Sequence, residues 1–232
     1  MSIGVVIPAA GQGKRMKSNI NKQFIQLIES PVLAHTLSVF INNTKIDQIV
    51  VVVHPDEINY CKNNIINKYF NERVKIVAGG KTRRESVYTG LKAFSPVINY
   101  VIIHDGARPL LTQELLNKVI KSLKVNNAVV VGTKLKDTVK GIDEQGIVLE
   151  TPDRSGLIAV QTPQAFLFDV IMEAHQKVPE DQRVTDDASL LEYLGEKVKI
   201  IEGSYENIKI TTPLDLIIAE NILRERRRSK KK

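Results

Sequence analysis

The 232-residue chain has one cysteine, Cys61, so it can form no internal disulfide and can offer no cysteine cluster to zinc. A lone cysteine inside a helical stretch reads as a packing residue without chemistry. No apolar run approaches the roughly 18 residues that span a bilayer. The start, MSIGVVIPAAGQGKRM, lacks the basic segment that precedes a signal-peptide core. The expectation is a cytoplasmic protein. Internal repeats are absent, as are low-complexity segments outside the C-terminus. Excess charge is also scarce once that end is set aside. The net charge is +7, but the seven bases and one acid from Arg224 to Lys232 supply +6, leaving +1 elsewhere. The run 224–232 reads as a solvated, frayed tail, which argues against a nucleic-acid surface.

What remains is an ordinary globular composition, 43% hydrophobic and 25% charged, on a chain long enough for one α/β domain with a full core. Residues 1–232 are therefore expected to form a single domain. Short β-branched runs at Ile3–Pro8, Gln48–His54, Val74–Ala78, Tyr100–His104 and Ala128–Gly132 predict buried parallel strands. Helical periodicity predicts helices over Val32–Ile41, Glu57–Tyr69, Arg83–Phe94 and Gln113–Leu123, with Thr82 and Thr112 as N-caps. Strands alternating with helices imply a mostly parallel sheet covered on both faces. Ligands then bind beyond the carboxyl ends of the strands.

After Gly132 the pattern changes to two glycine-containing turns with short apolar alternation, which predicts a protruding β-arm over about 136–160. Such an arm cannot be stable alone and is expected to pack on a second copy. A helix from Phe168, an acidic cap at Asp186–Asp187, a strand at Val198–Glu202 and a last helix from Pro213 complete the outline.

The first strand runs into Pro8-Ala9-Ala10-Gly11-Gln12-Gly13-Lys14-Arg15-Met16, where small residues let backbone N–H groups close around an anion and two cations follow. It is not a Walker A loop, and Met16 stands where a dinucleotide fingerprint needs its third glycine. Lys22 precedes a helix seven residues after Arg15. Asp105 closes the strand of Ile102-Ile103-His104 as a hard oxygen ligand suited to Mg²⁺ shared with substrate phosphates. His104, behind two isoleucines, reads as a structural residue.

In order from residue 8 to residue 211 the chain carries PAAGxGxRM, KQF, GGxxRxxSV, HDxARP, DTVK, DRxGL, TPQ, TDxAS and NIKxT. This series resembles the 2-C-methyl-D-erythritol 4-phosphate cytidylyltransferases of the non-mevalonate isoprenoid pathway, over almost the whole chain except the tail. The resemblance implies a Rossmann-like, nucleotidyltransferase-type fold and a Mg²⁺-dependent transfer of CMP from CTP, in a homodimer. It implies that Ala9, Ala10, Gly11, Gly13, Gly80, Ser86, Gly106 and Arg108 bind the nucleotide and that Asp105 holds the metal. Arg15 and Lys22 would stabilise the charge at the α-phosphorus. Arg154 and Lys209 would position the acceptor phosphate with Thr138, Thr162 and Thr185, Arg154 coming from the second subunit. Many members carry aspartate where this chain has Glu206, so no metal role is assigned there. Ribitol 5-phosphate cytidylyltransferases share many of these signatures, although Asp153-Arg154-Ser155-Gly156 favours methylerythritol phosphate. A non-catalytic nucleotide- or RNA-binding protein is the reading from a different class.

Overall fold

The computed structural model describes residues 1–11, 21–70, 74–95 and 97–229. Its strands and helices run in chain order as β1 Ile3–Pro8, β2 Gln26–Leu27, β3 Ser30–Pro31, α1 Val32–Ile41, β4 Gln48–Val53, α2 Ile58–Cys61, α3 Asn67–Tyr69, β5 Lys75–Ala78, α4 Arg83–Lys92, β6 Tyr100–Ile103, α5 Gln113–Ser122, β7 Ala128–Lys134, β8 Gly141–Ile142, β9 Val148–Glu150, β10 Ile158–Leu167, α6 Phe168–Lys177, α7 Ala188–Tyr193, β11 Lys199–Glu202 and α8 Pro213–Ser229. The single helix expected over Glu57–Tyr69 is divided by a π-helical stretch, Lys62–Ile66, between α2 and α3. Cys61 is buried there, and burial pushes its thiol up to about 12, so it is chemically inert at neutral pH.

Seven strands form one sheet in the order β11-β7-β10-β6-β1-β4-β5. Every neighbouring pair is parallel except those made by β10, which runs antiparallel to β6 and β7. The β-rich stretch after β7 leaves the sheet and must return, and β10 is the return limb. Side-chain alternation splits the core in two. Val5, Ile7, Val51, Ile102 and Val129 pack on one face with α1 and α5. Val6, Val50, Val52, Val101, Ile103 and Val130 pack on the other with α4, α6 and α7. Each fully buried branched side chain contributes on the order of 1.5–3 kcal/mol. Gly90 lets α4 approach β1 closely, because a Cβ there would lie 2.6 Å from Val6 Cγ1.

Thr82 and Thr112 cap α4 and α5 as expected, their hydroxyls accepting from Glu85 N and Leu115 N. Two expectations need correction. Residues 224–229 do not fray: they continue α8, whose Arg226 donates to Glu206 at 2.8 Å and to the Leu110 carbonyl at 2.9 Å, while Arg227 pairs with Glu29. Anchoring partners elsewhere in the chain outweigh the mutual repulsion of the arginines. Asp187 does not cap α7 with its side chain, which is turned inward to Arg83, and Asp186 accepts from Ser189 N instead. Residues 230–232 lie outside the described part. Among the described residues no helix is long and apolar enough to cross a membrane.

Candidate active site

The carboxyl ends of β1, β5 and β6 open into one cleft, and backbone bonds prolong the sheet into its loops. Ala9 N donates to Val52 O at 2.7 Å, Gly79 N to Val53 O at 2.8 Å, and Gly106 N to Pro8 O at 3.2 Å. Gly79 must be glycine for this approach, since a Cβ would lie 2.7 Å from that of Ala10 and 2.8 Å from Ser86 Oγ. Gln23, buried in the 3₁₀ turn Lys22–Phe24, donates through Nε2 to the carbonyls of Ala9 at 2.7 Å and Gly11 at 3.3 Å. The start of the glycine loop is thus fixed from below. Ser86 Oγ accepts from Gly80 N at 3.1 Å and donates to Thr82 O at 2.9 Å, which holds the turn into α4.

This first cavity is lined by Ala10, Gly11, Lys22, Gly80, Ser86 and Gly106, with Lys81, Arg83, Asp105 and Lys209 at its edge. Small residues, backbone N–H groups and cations suit a polyanion. Ala9 lies beneath it, buried. Gly13 and Arg15 belong to the segment 12–20, outside the described residues. A second cavity adjoins the first and is lined by Arg108, Thr162, Gln164, Thr185, Asp186 and Ser189. The two share three side chains, those of Arg83, Asp105 and Lys209.

Asp105 is the centre of that junction and is 7% exposed. Lys209 Nζ lies 2.8 Å from Oδ2, Arg83 Nε 3.5 Å from Oδ1 and Arg108 Nε 3.7 Å from Oδ2. Burial disfavours the charge of Asp105, but Lys209, Arg83 and Arg108 outweigh it and hold the carboxyl well below the usual carboxylate range. Thr162 accepts from Asp105 N at 3.0 Å and contacts His104 Nδ1 at 3.1 Å, and His104 Nε2 contacts the Arg108 carbonyl at 3.0 Å. One proton arrangement satisfies all three bonds: the Thr162 hydroxyl donates to Nδ1 and Nε2–H donates to Arg108. Burial drives His104 down to about 4, so it stays neutral and orients the loop, as its sequence position suggested. Lys209 is fixed by its neighbours, because Asn207 donates to Thr162 O at 2.9 Å and Ile210 N donates to Ala107 O at 2.8 Å.

Among the described residues no group of three or more His, Cys, Asp or Glu side chains converges. An all-protein cage is therefore missing there, but a single buried carboxylate beside a cleft suited to a polyanion fits Mg²⁺, which keeps few protein ligands and takes the rest from phosphates and water. Glu206 is engaged by Arg226.

Arg154 and Thr138 line neither cavity of their own chain. Both lie exposed on the arm, where Arg154 donates to the Lys136 carbonyl. The hairpin of β8 and β9 leaves Ile142, Val148 and Leu149 more than half exposed. Sequence reasoning overlooked Arg83, although it stands three residues before Ser86 in the GGxxRxxSV series and so shares its helix face.

The sequence profile described as IspD, 2-C-methyl-D-erythritol 4-phosphate cytidylyltransferase, matches residues 3–225. The 2-C-methyl-D-erythritol 4-phosphate cytidylyltransferase of Alkaliphilus oremlandii is 50% identical over 226 residues, 96% of this chain and 95% of the relative. That of Clostridioides difficile is 47% identical over 225 residues, 97% and 94% of the two chains. The crystal structure of 4-diphosphocytidyl-2C-methyl-D-erythritol synthase from Anaerococcus prevotii superposes with a TM-score of 0.84 at 39% identity, covering 96% of this chain and 98% of the other. With the seven-stranded α/β sheet and the junction at Asp105 in place, these matches have one consequence: the chain belongs to the 2-C-methyl-D-erythritol 4-phosphate cytidylyltransferase family.

Proposed function

We propose that this chain transfers CMP from CTP to 2-C-methyl-D-erythritol 4-phosphate, giving 4-diphosphocytidyl-2-C-methyl-D-erythritol and pyrophosphate. The observation that carries the reading is the meeting of two polar cavities at one carboxylate and two cations, Asp105, Arg83 and Lys209. CTP occupies the first cavity, with the backbone of Ala10, Gly11, Gly80 and Gly106 around the nucleotide and Lys22 beside the triphosphate. Ala9 and Ser86 support these loops, and Gly13 and Arg15 complete the phosphate loop by the family resemblance. The acceptor occupies the second cavity, its phosphate toward Lys209, with Thr185 at the wall and Thr162 holding the floor; Arg108, expected from the sequence to bind the nucleotide, lines this second cavity and not the first, and is reassigned to the acceptor phosphate.

The acceptor phosphate has a second pKa of about 6 and is already ionised at neutral pH. Its oxygen attacks the α-phosphorus, the α–β bridging bond breaks, and the electron pair leaves with pyrophosphate. No base is required. The task is to bring two polyanions together in line, and cations placed at the junction do this. Bound at Asp105, Mg²⁺ would neutralise charge on the triphosphate. Lys22, with Arg15, stabilises the charge developing at the α-phosphorus, each such group being worth roughly 10²–10³ in rate.

Arg154 and Thr138 reach an acceptor cavity only on another copy, which the exposed apolar hairpin supports. The working unit is therefore a homodimer of 1–232, with each arm completing its neighbour's site, acting in the cytoplasm. The test is pyrophosphate release with Mg²⁺, pairing CTP, ATP, GTP and UTP with methylerythritol phosphate and ribitol 5-phosphate. Release confined to CTP with methylerythritol phosphate is expected. Preference for ribitol phosphate, or no release from any pair, overturns the assignment.

A further inference from the structure

Arg83 is the first helical residue of α4, directly after the capping Thr82, and its guanidinium lies between two acids. Nη2 donates to Asp187 Oδ2 at 2.7 Å, while Nε reaches Asp105 Oδ1 at the longer 3.5 Å. Asp187 is 1% exposed. Gln164 Oε1 accepts from both Asp187 N and Ala188 N at 3.1 Å, and Gln164 Nε2 donates to Asp186 Oδ2 at 2.6 Å. Gln164 in turn pairs in register with Ile103, two residues before Asp105. One unbroken polar chain therefore runs from β10 through 186–188 and Arg83 to the junction carboxylate. It joins the turn Gly80-Lys81-Thr82 of the first cavity to Thr185 and Asp186 of the second.

Buried ion pairs are often replaceable by apolar residues without loss, so a buried Arg–Asp pair with a second contact to the reaction centre points to geometry. The shape of the side chain supports this. A guanidinium fork spans two carboxylates at once, whereas a lysine ammonium is a single point that cannot hold both in the same orientation. Arg83 holds Asp187 more closely than it holds Asp105, and it is the cation facing Asp105 Oδ1, while Lys209 and Arg108 face Oδ2.

We propose that Arg83, anchored on Asp187, is a positioning residue that orients Asp105 and fastens the acceptor-side segment 185–187 to the nucleotide-side start of α4. This rests on the reading of the two cavities as nucleotide and acceptor sites. Failure of that reading would appear as absent turnover in the unaltered protein, whereas failure of this inference appears only in the variants.

The experiment compares full-length Asp187→Asn, Arg83→Lys and the double variant by kcat, both KM values, melting temperature and calorimetric CTP affinity. Asp187→Asn keeps the shape and lies too deep to touch substrate. It is expected to lower acceptor kcat/KM at least ~10-fold, with CTP affinity within ~3-fold of the unaltered protein, the scale of a lost charged hydrogen bond. Because the two residues act as one unit, the double variant should be no worse than the poorer single variant. Asp187→Asn kinetics within twofold of the unaltered protein would overturn the inference, since Arg83 would then act on substrate directly or not at all. Multiplying losses in the double variant would overturn it equally. If Asp187→Asn fails to fold, Asp187→Glu, which keeps the charge and displaces the anchor, decides: the same acceptor-selective loss is expected, and unaltered acceptor kinetics would refute it.

Discussion

Lys209→Met removes the ammonium at the junction while leaving its stem and its backbone anchors. Asn207 and Ile210 hold the segment through bonds to Thr162 O and Ala107 O that the substitution does not touch. Asp105 retains Arg83 and Arg108 and therefore stays ionised, so the change subtracts one cation without creating an unpaired acid. A charge-assisted hydrogen bond to the acceptor phosphate is worth about 1.5–3 kcal/mol. In the free protein Lys209 already pairs with Asp105 at 2.8 Å, and loosening that pair offsets part of the gain. The net loss is then near 2 kcal/mol, or ~30-fold in acceptor KM at about 1.4 kcal/mol per decade. Poorer alignment should lower kcat by a further ~10-fold. Steady-state kinetics with each substrate varied in turn give the check, with the CTP KM expected within ~3-fold and the melting temperature nearly unchanged. Unaltered acceptor KM and kcat, or an equal loss toward both substrates, would remove Lys209 from acceptor binding.

Three further outcomes follow from the geometry. Burial holds His104 and His175 near 4, below the roughly 6.5 of an unfolded chain, so the native state takes up fewer protons and stability falls as pH drops from about 6.5 toward 4. At pH 5 the effect is on the order of 2 kcal/mol per histidine. A melting temperature flat between pH 7 and pH 5 would contradict it, and His175→Gln should make the fall less steep. Arg226→Ala removes the bonds to Glu206 and the Leu110 carbonyl and should cost about 1–2 kcal/mol, lowering the melting temperature by roughly 3–6 °C in a thermal shift assay. If arms complete neighbouring sites, equal mixing of inactive Arg154→Ala and Lys209→Ala chains should restore about a quarter of the normal rate, because half the dimers carry one intact site. No recovery after demonstrated subunit exchange would mean that Arg154 does not act across the interface.

The sheet was legible because its strands are β-branched runs that need no context: Ile3–Pro8 and the helix Val32–Ile41 appear with the bounds their patterns predict. The direction of β10 was not, since TPQAF reads alike in either orientation and only the return from the arm sets it. At the site, local signals found the loops of Ala10, Gly80 and Asp105. They missed what depends on distance along the chain. Asp187 looked like a helix cap because acids usually stand there, and its partner Arg83 is 104 positions away. The tail misled for the same reason: a basic run repels itself in isolation, and its anchors, Glu29 and Glu206, lie far back in the sequence.

Direct attack by the acceptor phosphate on the α-phosphorus can be followed with methylerythritol phosphate carrying ¹⁸O at its non-ester phosphate oxygens. The expected product has ¹⁸O in its diphosphate bridge, alongside unlabelled pyrophosphate, as read by ³¹P NMR isotope shifts. An unlabelled bridge, or label in the pyrophosphate, would contradict it.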